Sequence, residues 1–310
     1  MEVSADRTET APASITQTTD DRWCQWWTHD RLGGDQTAER RSSAALAPIR
    51  DRLLDRARLR PDDVVLDIGT GTGFVGFGAL ERLGEGGRVI FNDLSSGLID
   101  ECVRRSEQLG VADRCSFAVA DAQDLAGVES ESANAATARS VLCYIADPAA
   151  AFAAIARVLR PGGRLSLFET IHVRQLADGA PTIFGYVVPD LDKAAADIEA
   201  WLRTWTEVGS DQSAFDEIDL LVWADMAGLA DASVDVDLRF TTNAGVLTDW
   251  SAFLASRPRP WGPTIGETIS GALDAEDMTT VEDRLRPMVE RGDVPRRIRS
   301  FAYLTAVKAA

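Results

Sequence analysis

The stretch "VVLDIGTGTGFVGFG", Val64 to Gly78, decides the fold. Val64–Ile68 is a short apolar run of the length of a buried strand, and a helical stretch to about Leu83 follows the glycines. Strand, glycine turn and helix open a parallel α/β unit, with the turn at the carboxyl end of the strand, where such sheets bind ligands. The letters carry two readings. Gly71-x-Gly73-x-x-Gly76 matches the dinucleotide fingerprint. Asp67-x-Gly69-x-Gly71-x-Gly73 places a carboxylate before the glycines. That carboxylate would repel a pyrophosphate and attract a cation.

Outward from this stretch the pattern repeats. "RVIFNDL" (Arg88–Leu94) is a second strand, and Ser95 or Ser96 caps a helix with Leu98, Ile99 and Cys102 on one face. "CSFAVAD" (Cys115–Asp121) and "AATARSVLC" (Ala135–Cys143) are the third and fourth strands. Asp147-Pro148 starts a helix carrying Phe152, Ile155, Ala156 and Leu159, Pro161-Gly162-Gly163 ends it, and "RLSLFET" (Arg164–Thr170) is the fifth strand. After Thr170 the rhythm breaks. A helix over Asp216–Leu229 and strands at Ala232–Thr242 and Arg299–Ala309 complete the sheet. Upstream, a short helix ends at Gly33-Gly34, and Ala44–Leu59 reads as a helix stopped by Pro61. The expectation is an α/β fold: a doubly wound, mostly parallel, seven-stranded sheet. Residues 1–20 read as a disordered tail, 21–45 as a helical cap, 46–171 as the ligand-binding core, and 172–310 as the rest of the sheet with helical insertions at about 172–216 and 245–292.

Composition narrows the function. The chain has 32 Lys+Arg against 49 Asp+Glu, a formal charge of −17. Such a chain is repelled by phosphate backbones and anionic membrane surfaces, so neither nucleic acid nor membrane is an expected partner. The four cysteines form no C-x-x-C and there are two histidines, so no metal site is expected. No signal peptide or spanning segment is visible, and a reduced, cytoplasmic, soluble protein is expected. Lysine occurs only at Lys193 and Lys308. No Tyr-x-x-x-Lys exists, which argues against a nicotinamide enzyme of that type.

Together these motifs resemble the class I S-adenosylmethionine (SAM)-dependent methyltransferases over roughly residues 60–170. "VLDIGTGTG" is similar to their first motif, "FNDLS" to the ribose-binding acid, and "ADAQDL" to the acidic motif after strand three. "TARSVLCYIAD" and "LRPGGRLSLFE" are similar to the fourth-strand motif and the turn before strand five. The resemblance implies SAM as cofactor and S-adenosylhomocysteine as product, and a last strand inserted antiparallel beside strand five. It implies that Asp67, Gly69, Thr70, Gly71 and Gly73 form the cofactor loop and that Asp93 and Leu94 hold the ribose. Asp121, with Asp124 as alternative, and Ala122 would meet the adenine, and Arg139 and Ser140 the methionine moiety. "RWCQWWTHDRLGGD" resembles the N-terminal lid of bacterial methyltransferases that act on small molecules, aromatic and indole natural products among them. There His29 and Arg31 would lie near the methionine carboxylate.

The acceptor must be read from the other residues. Methyl transfer needs a base only when the acceptor loses a proton. Glu169 and His172, at the end of strand five, are the candidates, and Tyr144 and Tyr186 could orient an acceptor. All eight tryptophans lie outside residues 28–200. Aromatic walls suit a flat apolar acceptor, so Trp23, Trp26, Trp27, Trp201 and Trp205 are candidate substrate contacts. Each residue has a plainer reading. Asp67 can bond loop amides, Arg139 can form a surface ion pair and Glu169 a structural one, His172 can cap or lie partly exposed, and the tryptophans can fill gaps. The expected function is methylation of a small aromatic secondary metabolite, with carbon methylation of an indole as one form. O- or N-methylation of another small molecule, quinone C-methylation and non-catalytic SAM binding remain alternatives. A homodimer is the assembly expected.

Overall fold

A computed structural model describes residues 21–171, 182–206, 215–241, 246–295 and 297–309. His172 lies outside them. The core begins with β1 (Val64–Ile68), α3 (Phe74–Leu80), β2 (Arg88–Asp93), α4 (Ser96–Leu109) and β3 (Cys115–Val119), followed by β4 (Ala133–Arg139), α5 (Pro148–Val158) and β5 (Leu159–Ile171). Ahead of it lie α1 (Arg22–Thr28) and α2 (Gln36–Ala57). After it come the two-residue strands β6 (Thr182–Ile183) and β7 (Tyr186–Val187), α6 (Asp192–Thr206), α7 (Glu217–Met226) and β8 (Leu229–Thr241). The helices α8 (Trp250–Ala255), α9 (Ile265–Ala272) and α10 (Ala275–Glu290) then lead to β9 (Arg297–Lys308).

The sheet has seven strands in the order β3-β2-β1-β4-β5-β9-β8. The first five are parallel, and β9 runs antiparallel between β5 and β8. The seven-stranded, mostly parallel sheet and the inserted antiparallel strand are both as expected. Strand order reverses at β1, which pairs β2 on one side and β4 on the other. The crevice at the carboxyl ends of β1 and β4 is therefore the switch point where ligands bind in such sheets.

Helices cover both faces of the sheet. On one face Phe152 and Ile155 of α5 and Leu220 and Ala224 of α7 pack against Leu66, Leu165 and Leu304. On the other, Leu53 and Leu54 of α2, Phe77 of α3 and Cys102 of α4 pack against Val65, Phe91, Phe168 and Tyr303. Each fully buried Leu or Phe contributes roughly 1.5–3 kcal/mol by leaving water. A third apolar cluster joins the two insertions into one helical cap. Ile183, Tyr186 and Ile198 meet Trp250, Phe253, Ile269, Val281 and Leu285 there.

Some boundaries differ from the pattern-based expectation. Helix α2 starts at Gln36, ahead of Ala44, because Asp35 caps it by accepting from the Thr37 and Ala38 amides at 2.8 and 3.0 Å. Strand β4 ends at Arg139, not Cys143. Ser140 turns to φ 55° and Leu142–Tyr144 form a 3-10 turn. Strand β5 begins at Leu159, upstream of the Pro-Gly-Gly turn, because Leu159 already pairs Ala133 before a register shift.

Candidate functional site

The loop after β1 is tied down from below. Asp67 is 1% exposed. Its Oδ2 accepts from the Thr70 hydroxyl at 2.6 Å and the Gly76 amide at 2.9 Å, and its Oδ1 from the Thr137 hydroxyl at 2.9 Å. Burial raises its pKa to about 6, against the pull of these bonds and of Arg139. The loop-bonding reading of Asp67 is thus realised. The Thr70 amide donates to Asn92 O at 2.8 Å, and the Gly71 amide to Asp93 Oδ2 at 2.8 Å, fixing the loop to the end of β2. Gly69 and Gly71 both have φ 57°, a backbone that L side chains rarely adopt. A Cβ on Gly69 would stand 2.5 Å from Val141, and one on Gly71 3.4 Å from the Trp27 ring. Gly73 has φ 80° and ends the loop at α3.

Asp93 Oδ1 accepts from the Ser95 amide at 3.0 Å. Burial raises its pKa. Each Asp93 oxygen accepts one of these hydrogen bonds, which leaves lone pairs for a diol; Leu94 follows it, half-buried. Asp21 reaches the same corner from the lid. Its Oδ1 caps α1 through the Cys24 amide at 3.0 Å, and its Oδ2 accepts from Ser95 Oγ at 2.5 Å and the Gly97 amide at 2.8 Å. Asp121 follows β3 and accepts from the Gln123 amide and side chain, both at 2.9 Å, beside buried Ala122. Asp124 is exposed and bonds the Ala126 amide in its own turn.

Aromatic rings from the lid cover the crevice. Trp27 lies over Gly71, with the Arg31 guanidinium 4.7 Å and the Arg139 guanidinium 5.8 Å from its centroid. Arg139 also faces Phe74 at 5.7 Å. Arg139 makes no ion pair within 4 Å among the described residues, so the ion-pair reading does not apply. Trp23 meets Tyr144 edge-on at 5.0 Å and Trp261 at 4.6 Å. Trp26 is buried and donates its Nε1–H to Arg257 O at 2.8 Å, which locks the lid to the α8–α9 loop. Tyr144 as a residue is 37% exposed, while burial of its phenol raises its pKa, with Cys143 and Glu169 adding to the rise and Arg139 and Arg31 opposing it.

Glu169, at the end of β5, is fully buried. Its Oε1 accepts from the Val141 and Leu142 amides at 2.8 and 2.9 Å, while Oε2 has no partner. Burial lifts its pKa to about 7, with Arg139 acting in the opposite direction. A carboxyl near neutrality with a free oxygen is suited to proton transfer. The nearby backbone is shaped by Ser140, whose amide donates to Phe168 O at 2.8 Å.

Other candidates sit in the helical cap or at the end of α1. Tyr186 is 3% exposed and packs edge-on against Phe253 at 6.0 Å in the cap core. Trp201 on α6 packs against Gly271 of α9. His29 is exposed, with its ring against Gly34. Trp205 lies in α6, but its side chain is outside the described set. Asp21 was missed, though it carried an N-cap signal before an aromatic helix.

A family model described as "Methyltransferase domain" matches residues 65–163. The chain is 31% identical over 191 residues to the ubiquinone biosynthesis O-methyltransferase of Xanthomonas axonopodis pv. citri, covering 58% of this chain and 74% of that one. It is 32% identical over 167 residues to the tRNA 5-carboxymethoxyuridine methyltransferase of Escherichia coli K12, covering 49% of this chain. The chain spans less than two thirds of several such relatives, 62% of the tRNA enzyme's length among them. The YcgJ protein of Bacillus subtilis shares the fold, with TM-score 0.52 at 14% identity over 85% of this chain and 99% of that one. The chain belongs to the methyltransferases, and its fold and loop make it a class I, SAM-dependent member.

The residues present fit SAM. The loop backbone is left-handed where a Cβ would clash, the buried carboxylates of Asp67 and Asp93 lie at its base and end, and Arg31, with an orphaned Nε, and Arg139 stand against the Trp27 ring that covers it. Asp67, Gly69, Thr70, Gly71 and Gly73 would hold its methionine end with Arg139, and Asp93 and Asp121 its ribose and adenine. Among the described residues, no helix is long and apolar enough to cross a membrane.

Proposed function

We propose that the protein transfers the methyl group of SAM to a small, flat aromatic metabolite, in the form of carbon methylation of an indole. The observation that supports this most is the pairing of the Trp23–Tyr144–Trp261 ring cluster with Glu169, a buried carboxyl of pKa about 7 whose Oε2 has no partner. SAM supplies an electrophilic methyl group on a cationic sulfur. The chain's own residues do the rest. The rings of Trp23, Trp27 and Tyr144 exclude water and hold the plane of the acceptor, which sets the in-line approach. Glu169 Oε2 takes the proton that the acceptor ring or its N–H gives up. The −17 charge weighs against a tRNA acceptor and favours a small cytoplasmic one.

O-methylation of a phenol is the second reading, favoured by the likeness to an enzyme named for ubiquinone biosynthesis; Glu169 would then take the phenolic proton. The test is incubation with methyl-labelled SAM and a panel of indoles and phenols. Label carried by an indole carbon supports the first reading, and label on a phenolic oxygen the second. Transfer to neither class, from a protein that binds SAM, overturns both.

A further inference from the structure

Strand β8 is a long sheet edge with a neighbour on one side only. It ends the strand order and pairs β9 on its inner side. The opposite edge, β3, spans five residues, which gives a second strand little to hold. The start of β8 is interrupted by a register shift between Ala230 and Ser233, with Asp231 at φ 52°. From Ser233 to Thr241 the strand is regular, each residue facing one residue of β9. A regular antiparallel strand turns alternate N–H and C=O groups outward. Among the described residues no backbone hydrogen bond reaches that outer side.

Such edges are normally blunted by proline, lysine or a bulge. The segment "SVDVDLRFT", 233–241, contains no proline, glycine or lysine. On one face Val236 and Leu238 are 42% and 58% exposed. The charges lie on the other face, where Arg52 and Arg56 of α2 pair with Asp235 and Asp237. Two of these acidic edges can therefore approach, because the carboxylates that would repel are matched within each chain.

The sequence of the segment fits a second copy of itself. Strands related by a two-fold axis run antiparallel, and the axis fixes which residues face each other. With the axis at Leu238, Leu238 faces Leu238 of the second copy. Asp237 then faces Arg239 of the second copy, and Arg239 its Asp237, so one sequence supplies two opposite-charge pairs. An axis at Asp237 would oppose two carboxylates, and one at Arg239 two guanidinium groups. Arg239 folds back on Asp237 of its own strand in the single chain, so its guanidinium already lies beside the carboxylate that the pairing uses.

We propose that two copies of this protein join through β8, antiparallel about Leu238, so that their sheets run on as one. The cofactor crevice lies at β1 and β4, beyond β5 and β9 from this edge, and the pairing leaves it clear whatever it binds.

Sedimentation of the full chain tests the pairing, with twice the chain's mass expected for the wild type. Leu238→Lys, which sets a cation against its own copy on the axis, should weaken association at least ten-fold with an unchanged far-UV circular dichroism spectrum. Arg239→Asp should do the same by facing Asp237 with a second carboxylate. Leu238→Cys should cross-link into a dimer under mild oxidation beyond the level of the wild type with its four cysteines. Asp235→Cys, three residues from the axis on each chain, should not; this pair of variants decides the matter if the lysine variant fails to fold. A monomeric wild type overturns the proposal in favour of a different protein as the strand's partner. Dimers that survive both Leu238→Lys and Arg239→Asp, or cross-linking equal at positions 235 and 238, overturn it in favour of another surface or another register.

Discussion

Replacing Glu169 with Gln should change how stability depends on pH. In the folded protein burial lifts this carboxyl from its ordinary 4.5 to about 7. Below pH 4.5 both folded and unfolded chains carry the proton. As pH rises toward 7 the unfolded chain releases it first, so the folded state loses stability through that window and not above it. At about 1.4 kcal/mol per tenfold change in proton affinity, the gap is worth at most about 3 kcal/mol. Gln keeps an oxygen for the Val141 and Leu142 amides and puts a neutral NH2 where Oε2 has no partner. The E169Q chain should therefore gain on the wild type by up to about 3 kcal/mol between pH 4 and pH 8, which is about 6 °C in Tm for a chain of this size. Thermal melts of both ligand-free proteins across that range measure it, because every other titrating group cancels in the difference. Activity toward an acceptor that loses a proton should fall by about 10²–10⁴, the usual worth of a general base. Parallel Tm–pH curves would refute the reasoning, since Glu169 would then ionise at its ordinary pH in the folded state.

Two further outcomes follow from the lid and the loop. Asp21→Ala removes three accepted hydrogen bonds, to Cys24, Ser95 and Gly97. At about 1 kcal/mol for a helix cap alone, amide exchange in Arg22–Thr28 should quicken five-fold or more, measured by hydrogen–deuterium exchange, and an unchanged rate would show that Trp26 alone holds the lid. Gly71→Ala puts a Cβ on a φ of 57°, 3.4 Å from Trp27. At about 1–2 kcal/mol for left-handed alanine, S-adenosylhomocysteine affinity should weaken about ten-fold by calorimetry, and wild-type affinity would place the ligand off this loop.

The parallel half of the fold was legible because each of its signals is local. Val64–Ile68 with its glycines, Arg88–Asp93 with its capping serine, and the Asp147-Pro148 helix start each lie within a dozen residues. The cofactor loop was legible for the same reason. What escaped depends on contacts across the chain. Asp21 acts by meeting Ser95 and Gly97, 74 and 76 residues away. The tryptophans divide by tertiary position: Trp23 and Trp27 reach the crevice, Trp26 serves as mortar on Arg257, and Trp201 fills the cap. Glu169 showed its place at the end of a strand, but not that one oxygen would be used by two amides and the other left over.

The placement of β9 between β5 and β8 also constrains how the protein is made. Strand β8 has no neighbour in the sheet until β9, synthesised some 55 residues later, slides in beside it. During translation the first five strands can assemble as they emerge, while β8 waits with Val236 and Leu238 exposed even in the finished fold. An unpaired strand with apolar outward residues is prone to misassociation. The sheet closes only when a late segment inserts between two earlier ones, a non-local step that sets a slow final folding phase.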